Sequence, residues 1–322
     1  MVYLQERDKF LLKMMGAYGI LNNKTITGIY DNRFVYPKHR KKALADAKYI
    51  IKNNKYAYLG IKGKRYLESI GIKNIKQISG DKPARERLCK ISEILVPLND
   101  IYECYPSWKI KDVNRLADRK LQFYGKIRNK INGNEYYIYN IGNLKMGKDV
   151  DKLIGIKRSY IKHIKEEIVH NALIKEDTNR KIERVIILVG DRLTMQLYKS
   201  ELESLEIKEQ LIIPFTDIGK KLLKEFGKRN IKEESIKYLY GNGYGKPDWK
   251  YADYTIANNK QAMVLINNDG EKIVKIKQDR QLNQYNFSRK SSIVIICLES
   301  QKTTFKKEFP EIEIVTIPDE FI

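Results

Sequence analysis

Two stretches constrain this chain most. Glu183 to Gly190 (ERVIILVG) and Ser292 to Leu298 (SIVIICL) each carry a continuous apolar run of strand length. A strand that is apolar on both faces needs cover on both faces, the pattern of a buried, largely parallel sheet flanked by helices. The neighbouring segments alternate accordingly. Helices are expected over Lys157 to Ile174, Leu193 to Leu202, Asp217 to Phe226 and residues 271–285. Strands are expected at Leu211 to Phe215, Tyr251 to Ala257 and Gln261 to Ile266, with an edge strand at Ile312 to Ile317. Upstream, Leu121 to Ile127 and Tyr136 to Ile141 flank Asn132-Gly133-Asn134, and Asn-Gly supplies the positive φ values that a tight hairpin turn needs. Residues 111–322 thus read as a three-layer α/β domain with a mixed sheet.

The first eighty residues follow a different pattern. Phe10, Met14 and Tyr18, with Leu11 and Met15 beside them, give one apolar stripe on a helix from Arg7 to Leu21. Asn22 and Asn23 can stop that helix and cap a short second one, Lys24 to Tyr30. Pro37 suits the first turn of a third helix, because its missing N–H costs nothing there. Leu44, Ala47 and Ile51 form that helix's packed face, and Lys38, His39, Arg40, Lys41 and Lys42 form a basic first turn. Lys55 to Gly60 alternates like a strand, and Ile61 to Leu67 turns into another helix ending near Gly71. Three short helices, the last basic, followed by a strand describe a winged helix-turn-helix. The third helix would meet base edges while its neighbours meet phosphates. Lys62, Lys64 and Arg65 sit where a wing could reach the backbone of the nucleic acid.

Charge supports the same partner. Residues 1–80 hold 17 lysines and arginines against 5 acidic residues, so they carry +12 of the whole chain's +22. A polyphosphate explains this asymmetry, because each neutralised phosphate releases counterions. The bland alternative is a solvated lysine-rich face in a chain that over-uses Lys, Asn, Ile and Tyr throughout. At 322 residues, 42% apolar and 32% charged, the chain can bury a sizeable core and form more than one domain. The expected division is a DNA-binding module at 1–80, a helical connector at 81–110 and the α/β domain from 111 to 322. Within the connector, Lys82 to Leu95 is helical by the spacing of Leu88, Ile91 and Leu95. No apolar run reaches the roughly 18 residues of a membrane span, and no signal peptide is visible, so a cytoplasmic protein is expected. Cys89, Cys104 and Cys297 are too few and too scattered for a disulfide frame or a zinc site. His163 and His170 could share a helix face, although solvated or capping roles explain them as well. The glycines of Tyr240 to Lys246 lack the Lys-Ser/Thr of a phosphate loop.

In this order, the pieces resemble the replication-relaxation family, and in layout the MobC-class relaxases of plasmids from Gram-positive bacteria. Four sets of residues carry the likeness: Tyr58 to Leu67 (YLGIKGKRYL); Asp118-Arg119 with Phe123-Tyr124-Gly125; Tyr137-Ile138-Tyr139-Asn140; and Met263 to Asp269 (MVLINND) through Ile276-Lys277. The resemblance implies a restriction-endonuclease-like α/β domain that nicks one strand at a transfer origin with Mg²⁺ or Mn²⁺. That chemistry needs carboxylates around a hard cation and a lysine near the attacking water.

The candidates are Asp118, Asp151, Lys157, Asp253 and Asp269, with Asp151 and Asp269 as metal ligands. The chain departs from the family's acid-x-Lys pattern. Gly155-Ile156-Lys157 offers no acid, and Asn267 stands where the late strand should carry one. Pro247-Asp248 lies upstream and Glu271-Lys272 downstream. A surface or helix-capping role is the ordinary alternative for each carboxylate. Three functional readings follow: a relaxase-like enzyme on double-stranded DNA, a non-enzymatic replication initiator or transcriptional regulator, and a module whose winged helix docks on protein. A homodimer and other replication or transfer proteins are the further partners expected.

Overall fold

The computed structural model describes residues 2–31, 35–78, 81–110, 122–144, 150–172, 182–283 and 293–322. The chain is mixed α/β and divides into two compact units, Met1–Lys109 and Ile110–Ile322. The segment expected to connect two domains therefore folds with the first unit. Among the described residues, no helix is long and apolar enough to cross a membrane.

The first unit runs α1 (Glu6–Tyr18), β1 (Ile20–Asn22), α2 (Asn23–Ile29), α3 (Tyr36–Asp46), β2 (Ile50–Lys52), β3 (Tyr56–Leu59), α4 (Ile61–Ser69), α5 (Lys82–Leu95) and β4 (Tyr102–Pro106). β3 lies between β1 and β2 and is antiparallel to both. The Asn22 carboxamide accepts from Thr25 N at 2.8 Å, so this residue caps α2 as its type suggests. Pro37 opens α3. Leu88, Ile91 and Leu95 are all buried on α5.

Two details differ from the sequence reading. The buried stripe of α1 is Leu11, Leu12, Met15 and Tyr18, whereas Phe10 is 40% exposed. The stripe is rotated because the chain leaves the helix at Gly19, and Ile20 and Leu21 enter the sheet instead. α3 ends at Asp46, and Ile51 lies on β2 with its side chain outward.

An acid interrupts the apolar face of α1. Asp8 is fully buried and ion-paired with Arg40 of α3. Its Oδ1 also accepts from the Tyr30 hydroxyl at 2.7 Å, and its Oδ2 from Gln5 N at 2.8 Å. Every lone-pair direction is thereby used, which is what permits a carboxylate to be buried. This bond set holds α1, the end of α2 and α3 together.

The second unit contains two mixed sheets instead of the single one expected. In the first, β5 (Phe123–Asn129) and β6 (Glu135–Gly142) are antiparallel, and β7 (Arg184–Val189) and β8 (Glu209–Pro214) continue parallel to β6. Gly133 takes φ +72° in the turn between β5 and β6. α6 (Val150–Ala172) and α7 (Arg192–Ser200) cover this sheet, with Ile161, Ile164, Ile168 and Tyr198 in its core. α8 (Asp217–Lys228) and α9 (Ile231–Tyr240) lead to the second sheet. Its order is β13 (Glu313–Ile317), β12 (Ile293–Leu298), β11 (Lys260–Val264), β10 (Tyr254–Ile256) and β9 (Tyr244–Gly245). β11, β12 and β13 are parallel, and β13 is the edge, as its weaker apolar pattern suggests. α10 (Gly270–Asn283) and α11 (Lys302–Glu308) complete this half, with Ile273, Ile276 and Phe305 buried against Met263 and Ile295.

The Asp8–Arg40 pair sets a pH dependence. Burial works to raise the Asp8 pKa, but the bonds from Arg40, Tyr30 and Gln5 outweigh it, and the carboxyl is held below its ordinary 3.8. Its contribution is therefore complete above that value and is lost as pH falls through the lower, folded pKa. Asp8→Asn leaves the half-buried Arg40 guanidinium unpaired and is expected to cost about 3 kcal/mol at pH 7. Thermal unfolding of both proteins from pH 7 to pH 3 checks this, with the gap closing below about pH 4 as the native carboxyl protonates.

Candidate nucleic-acid interface and a buried charge cluster

On α3 the helical spacing divides the basic run into two sets. Lys38, His39 and Lys42 are exposed. Arg40 points inward to Asp8 and to the Tyr3 carbonyl, so it is a structural cation and not the groove contact expected of it. Lys41 is half-buried and donates to Asn23 Oδ1 at 2.7 Å. Burial lowers its pKa, and so does the nearby positive charge of Lys52 on β2. Lys41 of α3 thus lies close enough to Lys52 of the hairpin for their charges to interact. At the hairpin tip, Asn53 Oδ1 accepts from Lys55 N and Tyr56 N, both at 2.8 Å, and Lys52 and Lys55 are exposed.

The expected wing cations lie elsewhere. Lys62, Lys64 and Arg65 belong to the first turns of α4, beyond the hairpin. Lys62 and Arg65 are exposed, while Lys64 is half-buried and lines a cavity of about 190 Å³ with Met15, Tyr58 and Ile75. The β2–β3 hairpin was not read from the sequence because β2 is only three residues long, too short for alternation to register.

The candidate carboxylates of the second unit separate as well. Asp118 lies outside the described residues. Asp151 is exposed in the first turn of α6. Lys157, further along the same helix, donates to the Ile141 carbonyl at the end of β6. Asp253 and Asp269 do come together, in a cluster that includes three residues the sequence reading did not select: Glu209, Lys232 and Arg184.

Glu209 begins β8. It accepts from Lys232 Nζ at 2.9 Å and from the Tyr136 hydroxyl at 2.7 Å, with Arg184 Nε at 3.8 Å. Lys232 of α9 also stands 3.9 Å from Asp253 Oδ1. Asp253 Oδ2 accepts from Val264 N at 2.9 Å and from Lys272 Nζ of α10. Asp269 Oδ1 accepts from Gln210 N and Glu271 N, both at 3.2 Å, and its Oδ2 is buried without a hydrogen-bond partner.

The charges of this cluster act on one another. Burial works against the Glu209 carboxylate, but Lys232, Tyr136 and Arg184 hold its pKa below the ordinary value. Lys232 is raised, because Glu209, Asp253 and Asp269 outweigh its burial. Lys272 is lowered by burial and by Lys232, against the pull of Asp253 and Asp269. Asp269 is raised by burial, against the pull of Lys272 and Lys232.

The chain matches no family model, no curated protein and no solved structure. The site therefore stands on its geometry alone. Glu209, Asp253 and Asp269 are balanced by Lys232, Lys272 and Arg184, with two ammonium groups where a divalent cation would need open oxygen ligands. Among the described residues, no three carboxylate, histidine or cysteine side chains gather as a cation requires. The orphan Asp269 Oδ2 is one ligand oxygen, and the exposed Asp151 is not placed beside it. These residues do not fit the Mg²⁺ or Mn²⁺ expected for them.

The raised pKa of Asp269 reverses the sign found for Asp8. A carboxyl that ionises less readily in the folded state favours folding below its unfolded pKa, and that contribution is lost as pH rises through the folded value. Asp269→Asn keeps the Oδ1 acceptor and removes the buried charge. It is expected to raise the melting temperature at pH 7, with the gain shrinking toward pH 4. A fall at pH 7 would instead mean that the charge is needed to balance Lys232 and Lys272.

Proposed function

We propose that this protein is a DNA-binding protein of a plasmid or other mobile element, acting as a non-cleaving replication initiator or regulator. The first unit is read as a winged helix whose α3 enters the major groove and whose β2–β3 hairpin is the wing. The observation that carries the reading is the element order α1-β1-α2-α3-β2-β3, with Lys38, His39 and Lys42 exposed on α3 beside Lys52 and Lys55 of the hairpin. A cation exposed at the surface can reach a phosphate, whereas Arg40, turned inward and held by Asp8, cannot. Major-groove entry by α3 puts its first turn at the base edges and leaves the hairpin lysines for the flanking backbone.

The cluster around Asp253 favours binding without cleavage. Glu209 and Asp253 already have lysine partners, so positioning a cation and a water there would first require breaking those pairs. The second unit is then a scaffold without a cleavage site.

Replacing Lys38 and Lys42 together by alanine should weaken binding to every duplex. The slope of log K against log salt should flatten by about 1 for each phosphate that is no longer neutralised. Fluorescence anisotropy on specific and random duplexes between low and moderate salt measures both quantities. Unchanged binding at all salt concentrations would remove α3 from the interface. Supercoiled plasmid incubated with Mg²⁺ or Mn²⁺ should stay uncut. Nicking that is abolished in Asp253→Ala or Asp269→Ala would restore the relaxase reading.

A further inference from the structure

The segment that leads into Asp253 carries a feature that neither duplex binding nor the charge cluster uses. Trp249 and Tyr251 stand edge to face, with ring centroids 5.5 Å apart. Both are half-buried and pack on the core of the second sheet. Lys250 Nζ lies 4.8 Å and Lys275 Nζ 5.2 Å from the centre of the same Tyr251 ring.

Each ammonium is held near the ring by its attraction to the π-face, an attraction weaker than that of an anionic group. Among the described residues, Lys250 has no carboxylate partner. Lys275 donates to Gln278 at 3.2 Å and feels Glu271 one turn back on α10. The nearest exposed acid in sequence is Asp248, whose backbone N–H is tied to Thr255 and Gln261. Gln261 also accepts from Trp249 N at 3.2 Å, and Ala252 N closes a turn on the Trp249 carbonyl at 2.9 Å. The backbone around Trp249 is thus held in place by these hydrogen bonds. Lys272 and Lys275 are three residues apart on α10 and meet Asp253 and Tyr251 respectively, so the aromatic pair borders the charge cluster.

A fixed aromatic surface flanked by lysines of like charge is what an unpaired nucleotide needs. Its base stacks on a ring and its phosphates draw the ammonium groups away. A duplex does not offer a free base face, a free phosphate gains nothing from the rings, and a cationic choline headgroup would be repelled by the two lysines. We propose that Trp249, Tyr251, Lys250 and Lys275 form a binding platform for single-stranded nucleic acid. This site lies wholly in the second unit and stands or falls independently of the duplex-binding surface of the first.

The chain has two tryptophans, so Trp108→Phe leaves Trp249 as the only indole reporter. Titration of that full-length variant with an oligothymidylate at low salt should quench the Trp249 emission saturably. Adding Lys250→Gln and Lys275→Gln should weaken the midpoint and lower its salt dependence. Tyr251→Leu, which keeps apolar packing but removes the aromatic face, should weaken it about fivefold or more, with unchanged circular dichroism. The Lys38/Lys42 alanine pair should leave the quench intact, which separates this site from the first unit. The proposal is overturned if the oligonucleotide binds by anisotropy without quenching Trp249, or if Tyr251→Leu binds as tightly as its parent. It is also overturned if an abasic backbone of equal length binds as well as the oligothymidylate.

Discussion

The second unit depends on one turn, Asn267 to Glu271, which ties its two sheets together. Asp269 forms a bridge with Leu211 of β8, and the Asn268 carbonyl accepts from Ile212 N at 3.3 Å. Lys199 of α7 donates to Asn268 Oδ1 at 3.1 Å, and Glu271 accepts from Leu205 N at 2.8 Å and from Ser204 at 2.9 Å. Strand β11 of one sheet is thus carried to the strand β8 of the other. The backbone must bend sharply to do this. Asn268 takes φ +50°, which asparagine tolerates better than most residues. A Cβ on Gly270 would come within 2.3 Å of Gln210 Oε1, so a larger residue there would have to displace the Gln210 side chain. In this setting the Asp269 carboxylate is first of all an acceptor for backbone N–H groups. Its burial, and hence its raised pKa, follows from that joint.

The same logic divides the cations of the first unit. Arg40 and Lys42 are two residues apart on one helix and look alike in a basic run. Helical spacing turns one inward and the other out, and Asp8 decides which. An acid at position 8, on the same face as Leu11, Leu12 and Met15, is buried and must have a cation. That signal was present in the chain: a lone carboxylate inside an apolar stripe requires a partner on a neighbouring element. Composition could locate the excess positive charge in the first eighty residues, but only the packing of α1 on α3 shows which charges face outward to a ligand.

Much of the layout was legible because local chemistry set it. Asn22 caps α2, Pro37 opens α3, Asn132-Gly133 marks the hairpin, and the Leu88, Ile91 and Leu95 spacing gives α5 almost to the residue. The long apolar runs became β7 and β12. What escaped was short or non-local. β1 and β2 have three residues each, and their strand character comes only from pairing with β3. α9 was missed because Asn230, which caps it through Glu233 N, follows directly on the end of α8. The division into two sheets was hidden because both are mixed, and only pairing distinguishes them. Glu209 and Lys232 joined Asp253 from distant parts of the chain, a proximity that no spacing encodes.

These two kinds of buried charge bear differently on function. In the first unit one pair, Asp8 and Arg40, is withdrawn from the surface and fixes the frame on which Lys38, His39 and Lys42 are presented. In the second unit three acids and three cations neutralise one another, so the cluster projects little net charge and offers no open oxygen shell to an added cation. An electrostatic partner is then drawn to cations at the surface. Among these are the exposed lysines of α3 and the hairpin, and Lys250 and Lys275 beside Tyr251. One group lies on a helix suited to a groove, and the other beside rings suited to an unpaired base. If both proposed surfaces bind as argued, duplex on the first unit and a separated strand on the second, the protein would favour local opening of DNA. Binding energy gained on the single strand offsets the cost of unpairing it.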